Sequence, residues 1–345
     1  SKVMTFKDKE RHQLFLEPES RYTDSIYLQG FSTSMSEEIQ EQMVHSLPGF
    51  ENAVFLKYAY AIEYDAIQTH EYGMTLEAKK YQGLYFAGQI CGTSGYEEAA
   101  GLGLLAGINA VLKIRNQESL ILRRDQSYIG VMIDDLVTKG TQEPYRLLSS
   151  RAEFRLLMRH DNADLRLTEI GHKVGLISEE RYQNFLMKKD NIFKAIEILN
   201  STYLGKRKEI EDYIMSIGFN ELKGGVLASE LLKRPGVSFV KIRDFIPELQ
   251  EICLSNDAIE ELEVMVKYEG YIAKQIRDAD NQRKLEEMKI PSDFDYLNMD
   301  GIRLEARQKL DKVRPLTIGQ AGRVSGVNPS DVSMLILNIR KKHNG

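Results

Sequence analysis

The chain has 345 residues, with 46 Lys and Arg against 51 Asp and Glu and a formal net charge of −5. A hydrophobic fraction of 42% and a charged fraction of 28% exclude a disordered or fibrous chain and fit a globular protein of two or three domains. The acidic balance excludes a wholesale nucleic-acid coat but leaves room for a local basic face. No apolar run approaches the roughly 18 residues that a membrane helix needs. The polar start SKVMTFKDKERHQ does not read as a signal peptide, and two cysteines, Cys91 and Cys253, are too few for a disulfide framework. Together these predict a cytoplasmic protein.

In chain order, Val3-Met4-Thr5-Phe6 reads as the tail of a strand with no turn before it, as if the chain began inside a domain. Residues 12–17, ahead of Pro18, and residues 25–28, ahead of Gly30, have the partial alternation and terminal breaker of strands. Residues 36–47 predict one amphipathic helix, capped by Ser36 and closed by Pro48-Gly49. Residues 53–56 (AVFL) and 84–87 (LYFA) read as buried strands. Strands, one helix and strands again point to a dinucleotide-type α/β module or its closing half.

Residues 83–110 hold the densest signal. After the apolar run come Gly88, Gly92-Thr93-Ser94-Gly95 and a helical pattern from Tyr96 to about Lys113. Ser94 with Glu97 reads as a capping box. Strand, glycine turn and free helix N-terminus together predict a pocket for a phosphate or another electron-rich group. Gly101, Gly103 and Gly107 inside the helix each cost roughly 1 kcal/mol relative to alanine. They predict close approach of a cofactor ring, a neighbouring backbone, or both; tight helix-on-sheet packing accounts for them as well. Gly101-Leu102-Gly103-Leu104-Leu105-Ala106 formally matches the dinucleotide fingerprint, but it lies within a helix instead of in a strand-to-helix turn, and is rejected.

From about residue 117 the pattern is predominantly helical. Residues 129–137 fit either strand or helix. Residues 146–160 predict a helix whose start is marked by Ser150 and Glu153 as a second capping box. On it Arg151, Arg155 and Arg159 fall at i, i+4 and i+8 along one face, flanked by Arg146 and Arg166. Arginine suits bidentate phosphate contact; the alternative is a solvated face neutralised by Glu153, Asp161 and Asp164. Helical patterns follow at 168–176, 179–200 and 206–217, then a connector with one short helix at 222–235. The longest helical pattern, 257–289, carries Lys267, Tyr268, Gly270, Tyr271 and Lys274, where a base could stack beside a charge, although tyrosines at this spacing also serve as packing residues. Final helices are predicted at about 303–312, 318–325 and 329–342. The last two outline a helix-turn-helix with a basic end, Arg340-Lys341-Lys342. Asp134-Asp135 is a paired carboxylate without an evident partner, and the six histidines show no metal-ligand spacing.

Four stretches carry a resemblance: AGQICGTSGYEEAAGLGLLAGINA, EPYRLLSSRAEFRLLMRHDNADLRLTEIGHKVGL, VKYEGYIAKQ and IGQAGRVSGVNPSDVSMLI. Together they resemble the C-terminal half of the MnmG/GidA family, bacterial tRNA uridine-5-carboxymethylaminomethyl modification enzymes. The resemblance implies an incomplete α/β nucleotide-binding part of FAD/NAD type over 1–113, with its flavin-pocket segment at 83–113. A mostly α-helical C-terminal domain follows, divided into a helical part with the arginine-rich helix (114–260) and a subdomain for tRNA or partner binding (261–345). It implies FAD contacts from Gln89 and from the turn and helix start formed by Gly88, Gly92, Thr93, Gly95, Tyr96 and Glu97. The family's NAD segment ends at residues matching Lys2, Val3, Met4, Thr5 and Phe6. For tRNA it points to Arg146, Arg151, Arg155, Arg159, Arg166, Lys267, Lys274, Arg340, Lys341 and Lys342.

The implied activity is FAD-dependent addition of the carboxymethylaminomethyl group at C5 of the wobble uridine, with NADH as reductant and methylenetetrahydrofolate as one-carbon donor. The implied partners are tRNA and an MnmE-type GTPase, in a heterotetramer built on a homodimer, with no membrane and no DNA. Cys91 stands where the family usually has asparagine or threonine, and the family's catalytic cysteines have no counterpart here, so no catalytic residue is expected in this chain. It therefore reads as the C-terminal portion of a longer enzyme and is expected to be inactive alone. The rival reading is a non-catalytic module that binds tRNA and docks the GTPase. A DNA-binding regulator using the last two helices fares poorly against the acidic balance.

Overall fold

The computed structural model describes residues 6–60, 63–219 and 224–343, the last three by backbone alone. Contacts divide the chain into two compact units, Ser1–Asp65 and Ala66–Gly345. In the first, β1 (Phe15–Pro18) and β2 (Ile26–Gln29) form an antiparallel ribbon with Phe15 opposite Gln29 and Pro18 opposite Ile26. Helix α1 (Glu37–His45) follows Ser36 as expected, but the serine side chain makes no capping bond. Its buried Gln40 donates to the carbonyls of Met35 and Ala59 and accepts from the Ala59 amide, tying the following loop to the helix. The expected strand at 53–56 is not formed: Val54 and Leu56 are 84% and 77% exposed. An apolar run becomes a strand only where another strand completes its hydrogen bonds, and none does so here among the described residues.

The second unit is helical. Helices α2 (Tyr96–Ile114), α3 (Tyr128–Lys139), α4 (Ala163–Lys173) and α5 (Glu179–Ser201) are followed by β3 (Tyr203–Leu204), α6 (Lys208–Ser216) and β4 (Val226–Leu227). Then come α7 (Ala228–Leu232), α8 (Phe239–Phe245), α9 (Pro247–Gln250), α10 (Asn256–Lys267), α11 (Glu269–Glu287), α12 (Leu304–Val313), α13 (Ile318–Arg323) and α14 (Pro329–His343). Serine or threonine side chains cap α3, α5, α10 and α13 by accepting from an amide three residues on. Strands β3 and β4 pair antiparallel. Among the described residues the sheets are these two-stranded ribbons, with no parallel sheet.

Three local expectations are corrected. Residues 84–87 lie extended with a single bridge, Glu77 to Tyr85, rather than in a strand. Residues 146–160 are not a helix: one 3-10 turn, Ser149–Arg151, interrupts irregular backbone, and no capping bond from Ser150 forms. There the backbone bonds outward. The Tyr145 amide donates to the Gly92 carbonyl, Leu147 to the Glu98 carboxylate and Leu156 to the Gln275 side chain. Tertiary partners and isolated turn bonds, such as Leu157 and Met158 to the Phe154 carbonyl, have replaced a continuous i→i−4 ladder. The long pattern at 257–289 breaks at Tyr268 into α10 and α11, one helix end meeting the next within a single residue. Residues 129–137, whose sequence fits either strand or helix, form most of α3.

Three main cores, separate in sequence, hold the described part of this unit. One packs Tyr72, Leu76 and Cys91 against α2 and α3; one joins α5 to α10; one joins α12 to α14. Helix α13 packs against both α3 and α11. At the start of α3, an added Cβ on Gly130 would lie 2.5 Å from the carbonyl oxygens of Leu122 and Arg123, so glycine is required where that segment crosses the helix.

Candidate functional site

The glycine turn is built from the core outward. Buried Tyr72 donates its hydroxyl to the Cys91 carbonyl at 3.1 Å. Gly88–Cys91 is a 3-10 turn that ends at Gly92, whose φ of 87° is left-handed. A Cβ there would also meet Thr141 at 3.0 Å, so both backbone and space demand glycine. Thr93 is buried, and Gln89 is exposed beside the exposed Ile90. Cys91 is fully buried, and burial pushes its thiol up to about 12, the state of a packing residue.

The helix start differs from the expected one. The N-cap is Gly95, with no side-chain cap from Ser94. Glu98 folds back so that its carboxylate lies against Gly95, in the space a Cβ would need. One oxygen of Glu98 accepts from the Leu147 amide at 2.9 Å and lies 3.8 Å from Arg146; the other is buried without a hydrogen-bond partner. The positive pole of α2 thus already faces a carboxylate. The reading of a free N-terminus cradling a phosphate is corrected on this ground. The helical glycines divide likewise. A Cβ on Gly101 would meet Ile129 at 3.2 Å, whereas Gly103 and Gly107 face open space. With Leu104, Val111 and Ile114 they form an exposed, largely apolar strip along α2.

The arginines separate into two groups. Arg146, Arg151 and Arg155 are exposed. Arg151 donates from Nε to the Arg146 carbonyl at 2.8 Å and lies over the Tyr145 ring at 4.4 Å. Arg159 is committed to Asp161, at 2.9 Å, and to the Leu156 carbonyl. Arg166 bonds Asn162 and the carbonyls of Arg159 and Gln126. The single face at i, i+4 and i+8 therefore does not exist; Arg159 and Arg166 hold the loop, and the other three face solvent.

The Leu156–Gln275 bond, at 3.2 Å, seats this loop on α11. Gln275 lies one turn beyond Tyr271 and next to Lys274. Tyr271 is 70% exposed, so the loop and the tyrosine-lysine segment meet at an open surface. Lys267 is paired with Glu263 and half-buried. Arg340 is exposed near the end of α14; the side chains of Lys341 and Lys342 lie outside the described residues. So do Lys2, Val3, Met4 and Thr5, while Phe6 is described and exposed.

Arg124, which no motif marks in the sequence, is 5% exposed. Its guanidinium reaches Asp135 at 2.7 Å, Asp134 at 3.1 Å, Glu153 at 2.8 Å and the carbonyls of Val131 and Arg151 at 3.2 Å. From α13, Arg323 grips the two oxygens of Asp134 at 2.6 and 2.7 Å and pairs with Glu286 of α11 at 2.5 Å. Lys139 and the Tyr145 hydroxyl complete Asp135 at 2.6 and 3.0 Å. Burial alone would raise Asp135, but bonds from Lys139 and Arg124 hold its carboxyl below the usual range. The Asp134-Asp135 pair is the available signal; its partners at 124 and 323 are not its neighbours in sequence. Among the described residues no cluster of three or more His, Cys, Asp or Glu could hold a metal, and no helix is long and apolar enough to cross a membrane.

Comparison with known proteins gives matches over most of the chain. The family described as glucose inhibited division protein A matches residues 1–118. The tRNA modifying enzyme MnmG/GidA C-terminal helical domain matches 179–276, and the corresponding C-terminal helical bundle matches 278–345. The tRNA uridine 5-carboxymethylaminomethyl modification enzyme MnmG of Bacillus cereus (strain ATCC 10987) is 53% identical over 340 residues, covering 99% of this chain and 54% of that protein. The enzyme of the same name from Listeria monocytogenes serovar 1/2a is 51% identical with the same coverage. The structure of Aquifex aeolicus GidA in its form II crystal superposes with a TM-score of 0.85 at 43% identity, over 98% of this chain and 54% of that one. The chain spans about half the length of the curated relatives it matches.

Proposed function

Since the chain belongs to the MnmG/GidA family, we propose that it carries the tRNA-facing half of a FAD-dependent enzyme that installs the carboxymethylaminomethyl group on the wobble uridine. The observation that carries this reading is the seating of the arginine loop on α11 through Leu156 and Gln275. Arg146, Arg151 and Arg155 are exposed on that loop, and exposed Tyr271 and Lys274 lie one turn and one residue ahead of the glutamine that holds it. Guanidinium groups suit phosphates, and exposed tyrosine rings suit unstacked bases. Arg159 and Arg166 serve this face by shaping the loop, and exposed Lys274 adds to its charge; Lys267 and the basic end Arg340-Lys341-Lys342 belong to the same proposal as further tRNA contacts.

For the flavin, the described residues fit in part. Exposed Gln89 beside a left-handed glycine turn, next to the exposed, largely apolar strip of α2, offers a polar group and apolar surface for the edge of a ring system. The Glu98 carboxylate at the helix start disfavours a pyrophosphate there. Gly88 and the exposed Gln89 would face the ring edge, Gly92 and the buried Thr93 would hold the turn behind them, and Gly95, Tyr96 and Glu97 would lie at its margin. When bound, FAD would supply the redox chemistry that carbon transfer to uridine needs. This chain's own part is to present the turn and to hold the RNA. NADH as reductant, methylenetetrahydrofolate as one-carbon donor, an MnmE-type GTPase and a dimeric assembly belong to the same proposal.

Replacing Arg151 and Arg155 together by glutamate should abolish tRNA retardation in gels at low salt, while the thermal transition stays in place. Unchanged affinity in the double variant would retire the arginine loop as the tRNA face.

A further inference from the structure

Glu153 has the wrong charge for its position. It sits between Arg151 and Arg155 on the proposed RNA face, with its side chain 41% exposed. Its carboxylate nevertheless closes inward on Arg124, accepting from Nη2 at 2.8 Å and from Nε at 3.2 Å. The same Nη2 donates to the Arg151 carbonyl at 3.2 Å. Arg124 is in turn anchored on α3 through Asp134, Asp135 and the Val131 carbonyl. Between α3 and α4 the described backbone holds one 3-10 turn and otherwise no helix or strand. Tertiary tethers must therefore set its shape, and Arg124 supplies one at Arg151 and Glu153, just ahead of Arg155. Arg124 itself is too buried to meet a polynucleotide.

We propose that Glu153 is a positioning residue: by gripping Arg124 it holds the loop in the conformation that presents Arg151 and Arg155 to RNA phosphates. This carboxylate therefore strengthens RNA binding in spite of its charge. The inference rests on reading the loop as the phosphate-binding face. Simple field electrostatics predicts the opposite sign, because removing a negative charge from a cationic face should tighten a polyanion.

The test is tRNA binding by the intact protein across a salt series, comparing wild type, Glu153→Gln and Glu153→Ala. Glutamine keeps an acceptor for Arg124 and removes the charge; alanine removes both. Arg124 keeps Asp134 and Asp135 in either variant, so no buried cation is stranded. Affinity should fall in the order wild type, glutamine, alanine, with alanine weaker by about fivefold or more, the low end of measured coupling energies. The slope of log affinity against log salt should become shallower by roughly 0.7–0.9 for each phosphate that the loop no longer neutralises. A role limited to folding stability would lower the active fraction and leave that slope unchanged. Equal or tighter binding by the alanine variant overturns the proposal. If that variant does not melt cooperatively, glutamine alone decides: binding equal to or tighter than wild type overturns the proposal, and weaker binding with a shallower slope supports it. The arginine pair separates the two levels. If Arg151→Glu with Arg155→Glu leaves affinity intact, the face itself is misread and this inference falls with it. If that pair abolishes binding while Glu153→Ala does not weaken it, only the role of Glu153 fails.

Discussion

Cys91 and Cys253 look alike in sequence and behave as opposites in the fold. Cys253 is exposed, whereas Cys91 is enclosed by the first core of the helical unit, with its carbonyl taken by Tyr72. The thiolate is the reactive form, so a thiol reagent near neutral pH should label Cys253 in the native protein and Cys91 only after denaturation. Native-state labelling of Cys91, read by peptide mass mapping, would contradict the burial. The raised thiol has a linked consequence. Burial moves Cys91 from 9.0 to about 12 in the folded state. Its contribution to stability is whole below about 9 and is lost as the pH rises toward about 12, because only the unfolded thiol ionises in that window. The urea midpoint should fall across this range, and less steeply in Cys91→Ala.

At the scale of elements, α2 is the most legible part of the site, yet its three interior glycines do not share one reason. Its expected bounds, Tyr96 to about Lys113, compare with Tyr96–Ile114 in the structure. Crowding applies at Gly101 alone among the three, since a Cβ on Gly103 or Gly107 meets nothing within 4 Å. Gly103→Ala and Gly107→Ala should each stabilise this chain by about 0.5–1 kcal/mol, the ordinary helix-interior difference. Gly101→Ala should gain less or lose, because Ile129 must shift to admit the methyl. Denaturant midpoints of the three variants check the ranking. The arginine loop shows the reverse case. Its residues have helical spacing, yet Glu98, Gln275 and Gly92 take its backbone groups and it never forms a helix. Spacing made the arginines visible as a group; tertiary hydrogen bonds decided which of them remain exposed.

For the whole helical unit, one buried ionic network joins α3, the arginine loop, α11 and α13. Arg323 is its most distant member, bridging Asp134 and Glu286 across 189 and 37 positions of sequence (323 − 134 and 323 − 286). Removing one partner of a buried pair strands the other charge, at a cost of roughly 3–5 kcal/mol. Arg323→Ala should fall near the lower end, since Arg124 still faces Asp134. Hydrogen exchange in α13 and α14 should quicken, with little response to added salt because the pair is shielded from solvent. An unchanged melting midpoint and unchanged exchange would show that apolar packing and the Thr317–Glu286 and Ile318–Met288 hydrogen bonds seat α13 without Arg323.

The sequence by itself determined the helices with strong apolar periodicity and good caps, the two short strands before α1, and, through four dense motifs, the family. These are local properties, set by side-chain type and by hydrogen bonds within a few residues. Tertiary structure alone decided that residues 53–56 stay unpaired, that Cys91 is a packing residue, that Glu98 occupies the start of α2, and that Arg159 and Arg166 are structural. It also supplied Arg124 and Arg323 as the partners of Asp134 and Asp135. Most of these depend on a group far away in sequence, and the energy of a buried charge or an unpaired strand edge is set by whichever group the fold brings to it. The glycine turn that opens the candidate flavin segment joins both kinds. Its glycines announce the bend, but only Thr141 and Tyr145, some fifty residues on, show why Gly92 must turn there.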